Sequence, residues 1–259
     1  MNREFTQTFF LAAGEVNAEG ELSMALLTSK IIDIATAHAN SLGIGNPSMA
    51  SMHCGWVLSR VAIEMMDYPK VNDTYRLTTW VNAWNKHYSE RMIMISAADG
   101  RALGYARTIW MVLDTETHES RGLSHLPLTP EMVSDRVCPI APQGKHSLIL
   151  PEDYEGDLPR NAMRATAPAV PHRFGYADLD YYRHVNTVRY VQLLLNQFSL
   201  EEFDRTRIKR FELWFMREGK YGADLSLLRA DNDDSMTTSF SLSDADLPIF
   251  FARIYRQTR

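Results

Sequence analysis

Tyr176-Ala-Asp-Leu-Asp-Tyr-Tyr-Arg-His-Val-Asn-Thr-Val-Arg-Tyr190 is the stretch from which this 259-residue chain is best read. It places Asp178, Asp180 and His184 within one short turn. Apolar residues then recur at Val188, Val191, Leu194, Leu195 and Phe198, with Arg189, Gln192 and Asn196 between them, which is helical spacing. Asn186 is the N-cap this pattern asks for, and Thr187 the first helical residue. A helix start presents unpaired N–H donors and partial positive charge, so a carboxylate, an imidazole and an oxyanion-binding end meet here. Capping is the ordinary use of Asp and Asn before a helix, and Asp178 reads as a brace of the turn, not a reacting group.

Around this turn the chain is periodic on a larger scale. A strand near Ala169 to Tyr176 precedes it, a helix from Thr187 to Phe203 follows, and strands are expected at Arg207–Arg217, Ala223–Ala230, Met236–Leu242 and Pro248–Arg256. The first half has the same order. Phe9 to Val16 reads as a strand. Met24, Leu27, Ile31, Ile34, Ala35 and Leu42 mark a helix apolar on more than one side, stopping at Gly43 and Gly45. Strands then follow at Trp56–Met66, Tyr75–Trp84, Glu90–Ala97 and Ala102–Asp114. Strand, helix, four strands, twice over, predicts an α+β protein of two tandem units, each a long helix wrapped by an antiparallel sheet.

The expected boundaries are 1–125 and 166–259, joined by a connecting segment over 126–165. Eight of the eleven prolines lie between Pro127 and Pro171, and only Pro130 to Arg136 there suggests a short helix.

Composition excludes several classes. Hydrophobic content of 45% and charged content of 23% are those of an ordinary globular protein. No run of 18 apolar residues offers a membrane span, and the first ten residues lack the apolar core of a secretory signal. Cys54 and Cys138 lack metal-ligand spacing and read as plain thiols, so a cytoplasmic location is expected. A net charge of −5 argues against nucleic acid. His-Glu-x-x-His, Cys-x-x-Cys and Gly-x-Ser-x-Gly are all absent, so neither a metal nor a serine-hydrolase site is expected, and no cofactor. Gly43-Ile-Gly45 follows a helix instead of opening one, which makes it a C-terminal cap and not a phosphate loop.

Asp178-Leu-Asp-Tyr-Tyr-Arg-His-Val-Asn-Thr-Val-Arg-Tyr190 resembles the active-site segment of the acyl-ACP thioesterases of plant plastids and bacteria. The likeness extends to Leu27–His38, Trp56–Glu64, Tyr68–Asp73, Thr79–Val81, Thr108–Leu113 and Arg217-Glu218. It implies a double hot-dog fold and hydrolysis of fatty acyl-acyl carrier protein, with acyl-CoA hydrolysis or acyl binding without catalysis as alternatives. The family's Asp, Asn, His and Glu fall on Asp180, Tyr182, His184 and Glu218, so the expected amide is a tyrosine here. Gly219 stands where many plant members have Cys. The resemblance further implies that Asp180 attacks the carbonyl or orients an attacking water, that His184 and Glu218 handle protons, and that the amides at Asn186 and Thr187 hold the oxyanion.

The first half has no histidine in Val16–Leu22, so it is expected to bind the acyl chain, with Met49, Met52, Trp56, Met92, Met94 and Trp110 as lining or core. Arg183, Arg189, Arg205, Arg207, Lys209, Arg210, Arg217 and Lys220 read either as a solvated basic face or as the docking surface for an acidic carrier protein. A monomer or a homodimer is compatible with two fused units.

Overall fold

The 18 residues of α1 (Met24–Ser41) form a helix because Ser23 starts it and its apolar residues surround it. Ser23 Oγ accepts from Leu26 N at 3.2 Å, closing the first turn. Leu27, Ile31 and Ile34 have no exposed surface. Full burial of such side chains contributes about 1.5–3 kcal/mol each. Gly43 takes a φ of +75° just past the helix, as its reading as a cap requires. Gly45 is needed for clearance, since a Cβ there would lie 1.9 Å from Asn40 Oδ1.

The structure is a computed structural model describing residues 3–180, 182–245 and 247–259. Its chain divides into two compact units, 1–142 and 143–259. In the first, β1 (Glu4–Phe10), α1, α2 (Asn46–Ser51), β2 (Cys54–Met65), β3 (Thr74–Trp84), β4 (Ser89–Ala97) and β5 (Ala102–Asp114) follow in order. The strands pair antiparallel as β1-β3-β4-β5-β2. In the second, three short strands, β6 (Leu148–Leu150), β7 (Ala162–Arg164) and β8 (Val170–His172), precede α3 (Thr187–Leu195) and α4 (Leu200–Arg205). β9 (Thr206–Phe215), β10 (Leu225–Asp231), β11 (Thr237–Asp244) and β12 (Leu247–Thr258) then pair antiparallel with β8 as β8-β10-β11-β12-β9. Read from the strand before the helix, the two orders are the same. The fold is α+β and repeats the hot-dog plan.

Several elements differ from the sequence expectation. The opening strand is Glu4–Phe10, seven residues in register with β3, while Val16 makes only a bridge to Leu22. Between them Glu15 turns its carboxylate back onto Ala12 N at 3.0 Å, which ends extended pairing. The helix expected over Thr187 to Phe203 is two helices. Ser199 Oγ accepts from Glu202 N and Glu202 Oε2 from Ser199 N, a capping box that starts α4 afresh. Phe198, in the break, lies under the guanidinium groups of Arg229 and Arg256, at 4.8 and 4.7 Å from its ring centre. Only Pro130–Met132 of the short helix expected near Pro130 forms, as a single tight turn.

The proline-rich segment is ordered by packing. Leu123, Leu126 and Met132 are buried, Val133 bridges Val81, and Trp80 Nε1 donates to Arg136 O at 3.0 Å, all within the first unit. In the second, Trp214 Nε1 donates to Gly144 O at 3.3 Å, and the His146 ring stacks on Phe251 at 3.9 Å. Prolines suit such straps because they form no ladder of their own.

Candidate functional site

The turn before α3 is a miniature hairpin. Leu179 bridges Val185, Asp180 N donates to His184 O at 2.8 Å, and Arg183 N donates to Asp180 O at 3.0 Å. Asp180 Oδ1 closes the loop from inside, accepting from Tyr182 N at 2.9 Å and His184 N at 3.1 Å. Arg183 carries the left-handed backbone that the reversal needs, at φ +66°. Tyr181 lies outside the described residues.

The first unit builds the same loop before α1. Val16 bridges Leu22, Asn17 N donates to Glu21 O at 2.8 Å, and Gly20 N donates to Asn17 O at 3.1 Å. Asn17 Oδ1 accepts from Glu21 N at 2.8 Å, and Gly20 has φ +72°. Asn17, Gly20 and Glu21 thus stand where Asp180, Arg183 and His184 stand in the second unit. One copy uses an amide and a glycine. The other uses a carboxylate and accepts an arginine in a conformation that costs roughly 1–2 kcal/mol.

His184 projects from this loop so that Nε2 is 3.4 Å from Glu218 Oε1, both side chains about one-third exposed. The Tyr182 ring, half exposed, lies nearly parallel to the imidazole with centres 6.4 Å apart. Asn186 Oδ1 caps α3 by accepting from Val188 N at 3.0 Å, and Asn186 O accepts from Arg189 N at 2.9 Å. Among the described residues this leaves Thr187 N as the first-turn donor without an acceptor. Asp178 braces the turn: its Oδ2 accepts from Gly175 N and its carbonyl from Asn186 N, both at 2.8 Å.

Asp180, Tyr182, His184, Asn186 and Thr187 are therefore gathered by one loop and one helix end, and Glu218 reaches them from beyond β9. The cations are dispersed. Arg183 is exposed at the loop apex. Arg189 Nη1 donates to Gln192 Oε1 at 2.9 Å, with Nε 3.7 Å from Asp178 Oδ1. Arg205, Arg207 and Lys209 lie where α4 meets β9, so a strand rising about 3.3 Å per residue puts Arg207 about 25 Å from Phe215. Arg210 is committed to the buried Glu212, 2.8 Å away. Glu218 is instead flanked by exposed Arg217 and Lys220, the last two members of the basic cluster read from the sequence.

Fold and loop together define a hot-dog protein whose second unit carries a carboxylate–imidazole–carboxylate site at a helix start. Residues 2–125 match the family model of the acyl-ACP thioesterase N-terminal domain, and residues 167–246 that of its C-terminal domain. The chain belongs to the acyl-ACP thioesterase family.

A chloroplastic acyl-(acyl-carrier-protein) hydrolase of Cuphea viscosissima is 26% identical over 83% of this chain and 52% of its own length. A chloroplastic oleoyl-acyl carrier protein thioesterase of Arabidopsis thaliana is 24% identical over 91% and 63%. The chain thus spans between half and two thirds of these relatives. Among solved structures, an acyl-ACP thioesterase from Bacteroides thetaiotaomicron superposes with a TM-score of 0.86 at 23% identity, covering 98% of each chain. The 12:0-ACP thioesterase of Umbellularia californica gives 0.80 at 19%, covering 100% of this chain and 99% of its own. At these identities the likeness establishes the fold.

Proposed function

We propose that this protein hydrolyses the thioester of fatty acyl-acyl carrier protein, releasing a free fatty acid and the carrier's thiol. The observation that carries the reading is the 3.4 Å approach of His184 and Glu218 beside a carboxylate locked by two amides. Holding Asp180 Oδ1 with two N–H donors fixes the carboxylate and lowers its nucleophilicity, which favours orienting a water over attacking directly. The water oxygen bonds to the carbonyl carbon while its proton passes to His184, with Glu218 stabilising the imidazolium. Thr187 N–H faces the developing oxyanion. The C–S bond then breaks, and the departing thiolate takes up the proton.

The first unit binds the acyl chain in this reading. It is rich in buried methionine and tryptophan and has no imidazole in its loop. Met49, Met92 and Trp110 are buried there, with Met52 and Trp56 packed against buried clusters. Arg183, Arg217 and Lys220 are exposed and lie within two residues of His184 or Glu218, which suits them to meet an acidic carrier, whereas Arg205, Arg207 and Lys209 sit towards the other end of β9. A cytoplasmic setting is consistent with two unpaired cysteines, and no helix among the described residues is long and apolar enough to cross a membrane.

Steady-state hydrolysis of matched acyl-ACP and acyl-CoA series, by wild type and His184→Ala, tests the proposal. Acyl-ACP is expected to be preferred, with kcat lowered about 10²-fold or more in the variant. Equal use of acyl-CoA would remove the carrier from the reading. Tight acyl-ACP binding without turnover would leave a binding protein.

A further inference from the structure

Tyr190, one turn into α3, is 3% exposed, with its ring among Phe174, Phe215 and Phe250 at centre distances of 5.1, 5.6 and 4.8 Å. Within that apolar cage its hydroxyl oxygen accepts the backbone N–H of Gly219 at 3.1 Å. Gly219 is itself buried, and a side chain here would have to displace its neighbours. A Cβ would lie 2.3 Å from the Tyr190 oxygen and 3.2 Å from Val185 Cγ2. The residue before it is Glu218.

We propose that the Tyr190 hydroxyl is a positioning residue for the hydrolysis, holding the Glu218–Gly219 peptide so that the Glu218 carboxylate meets His184. The inference rests on the reading of His184 and Glu218 as the acting pair. A peptide group is planar, so fixing the Gly219 N–H also fixes the Glu218 carbonyl and restricts where the Glu218 Cβ points. On the other side, Met216 N and Arg217 N donate to Ile249 O at 3.0 and 3.1 Å, anchoring the chain as it leaves β9. Glu218 thus sits between two clamps, one on the sheet and one on α3. The same helix begins three residues after His184, so one rigid body sets both members of the pair.

The phenol has no proton chemistry of its own at neutral pH. Burial above all, with the nearby Glu218 carboxylate adding to it, pushes its pKa up to about 12 despite the opposing effect of the Gly219 hydrogen bond. It stays protonated and acts by geometry.

A four-variant cycle tests this on the full chain: wild type, Tyr190→Phe, Gly219→Ala and the double variant, with Glu218→Gln alongside. Tyr190→Phe keeps the ring and removes the acceptor. Its kcat is expected to fall about five- to tenfold, the effect that losing one neutral hydrogen bond allows, with KM within about twofold. Gly219→Ala should lose at least as much, because its Cβ displaces the phenol oxygen. In the Tyr190→Phe background that oxygen is gone and the next ring atom is 3.3 Å away. The alanine should then cost less than about twofold more, a non-additivity that a general loss of stability does not produce. Unchanged kcat in Tyr190→Phe, with Glu218→Gln impaired, overturns this inference alone. Additive losses do the same. Unimpaired Glu218→Gln overturns the role of Glu218 and this inference with it.

Discussion

Asp180→Asn separates what the Asp180 carboxylate does for the loop from what it does for the reaction. Its Oδ1 accepts two backbone N–H groups, and an asparagine oxygen can accept the same two. The first unit shows such an amide in place: Asn17 Oδ1 takes the Glu21 amide at 2.8 Å in a loop with the same backbone bonds and a left-handed residue, Gly20, at the same position. Replacing a charged acceptor by a neutral one should cost about 1 kcal/mol, a shift of a few degrees in Tm. Asp180→Ala frees both amides and should cost about 2 kcal/mol. Activity should divide the variants differently. Without a carboxylate to orient water, kcat on acyl-ACP should fall about 10²- to 10⁴-fold in both. Thiol release followed with a chromogenic disulfide, beside thermal unfolding, reads both quantities. Asp180→Asn retaining a tenth or more of wild-type kcat would refute a chemical role for the carboxylate. A Tm as low as that of Asp180→Ala would refute the equivalence of the two loops.

Arg183→Gly should stabilise the second unit by about 1 kcal/mol, because glycine adopts φ +66° without strain. The same change should raise KM for acyl-ACP and spare short thioesters; an unchanged or lower Tm would show that the loop is relaxed with arginine in it. Asp231 has its pKa held below the ordinary 3.8. Burial alone would raise it, but hydrogen bonds from Thr238, Arg229 and Thr166 outweigh that. A depressed pKa contributes stability that is full above 3.8 and lost as pH falls below it. Asp231→Asn should therefore flatten the acid limb of stability below about pH 4, and denaturant titrations at pH 3 and pH 7 should show a smaller difference than in wild type.

The helix α1, the strands from β2 to β5 and the loop before α3 were legible because their signals are local. Leu27, Ile31 and Ile34 recur at helical spacing, and Asn186 carries a side chain suited to cap a helix start. The break at Ser199 was itself readable from Ser199 and Glu202, but apolar periodicity running through Phe198 hides it. What pins Phe198 between Arg229 and Arg256 comes from strands thirty or more residues away. Arg210 likewise looks like a surface cation in sequence, and only folding sets it 2.8 Å from the buried Glu212.

By itself the sequence determined the repeated α+β plan and the loop that holds Asp180 and His184, because periodicity, caps and turns act over a few residues. Only the tertiary structure decided that Glu218 would meet His184, that Tyr190 would hold the peptide beside it, and that Arg205 and Arg207 would lie at the opposite end of β9 from Glu218. Those relations depend on how β9 and β12 pair and where α3 packs, and long-range pairing leaves no mark in the spacing of neighbouring residues.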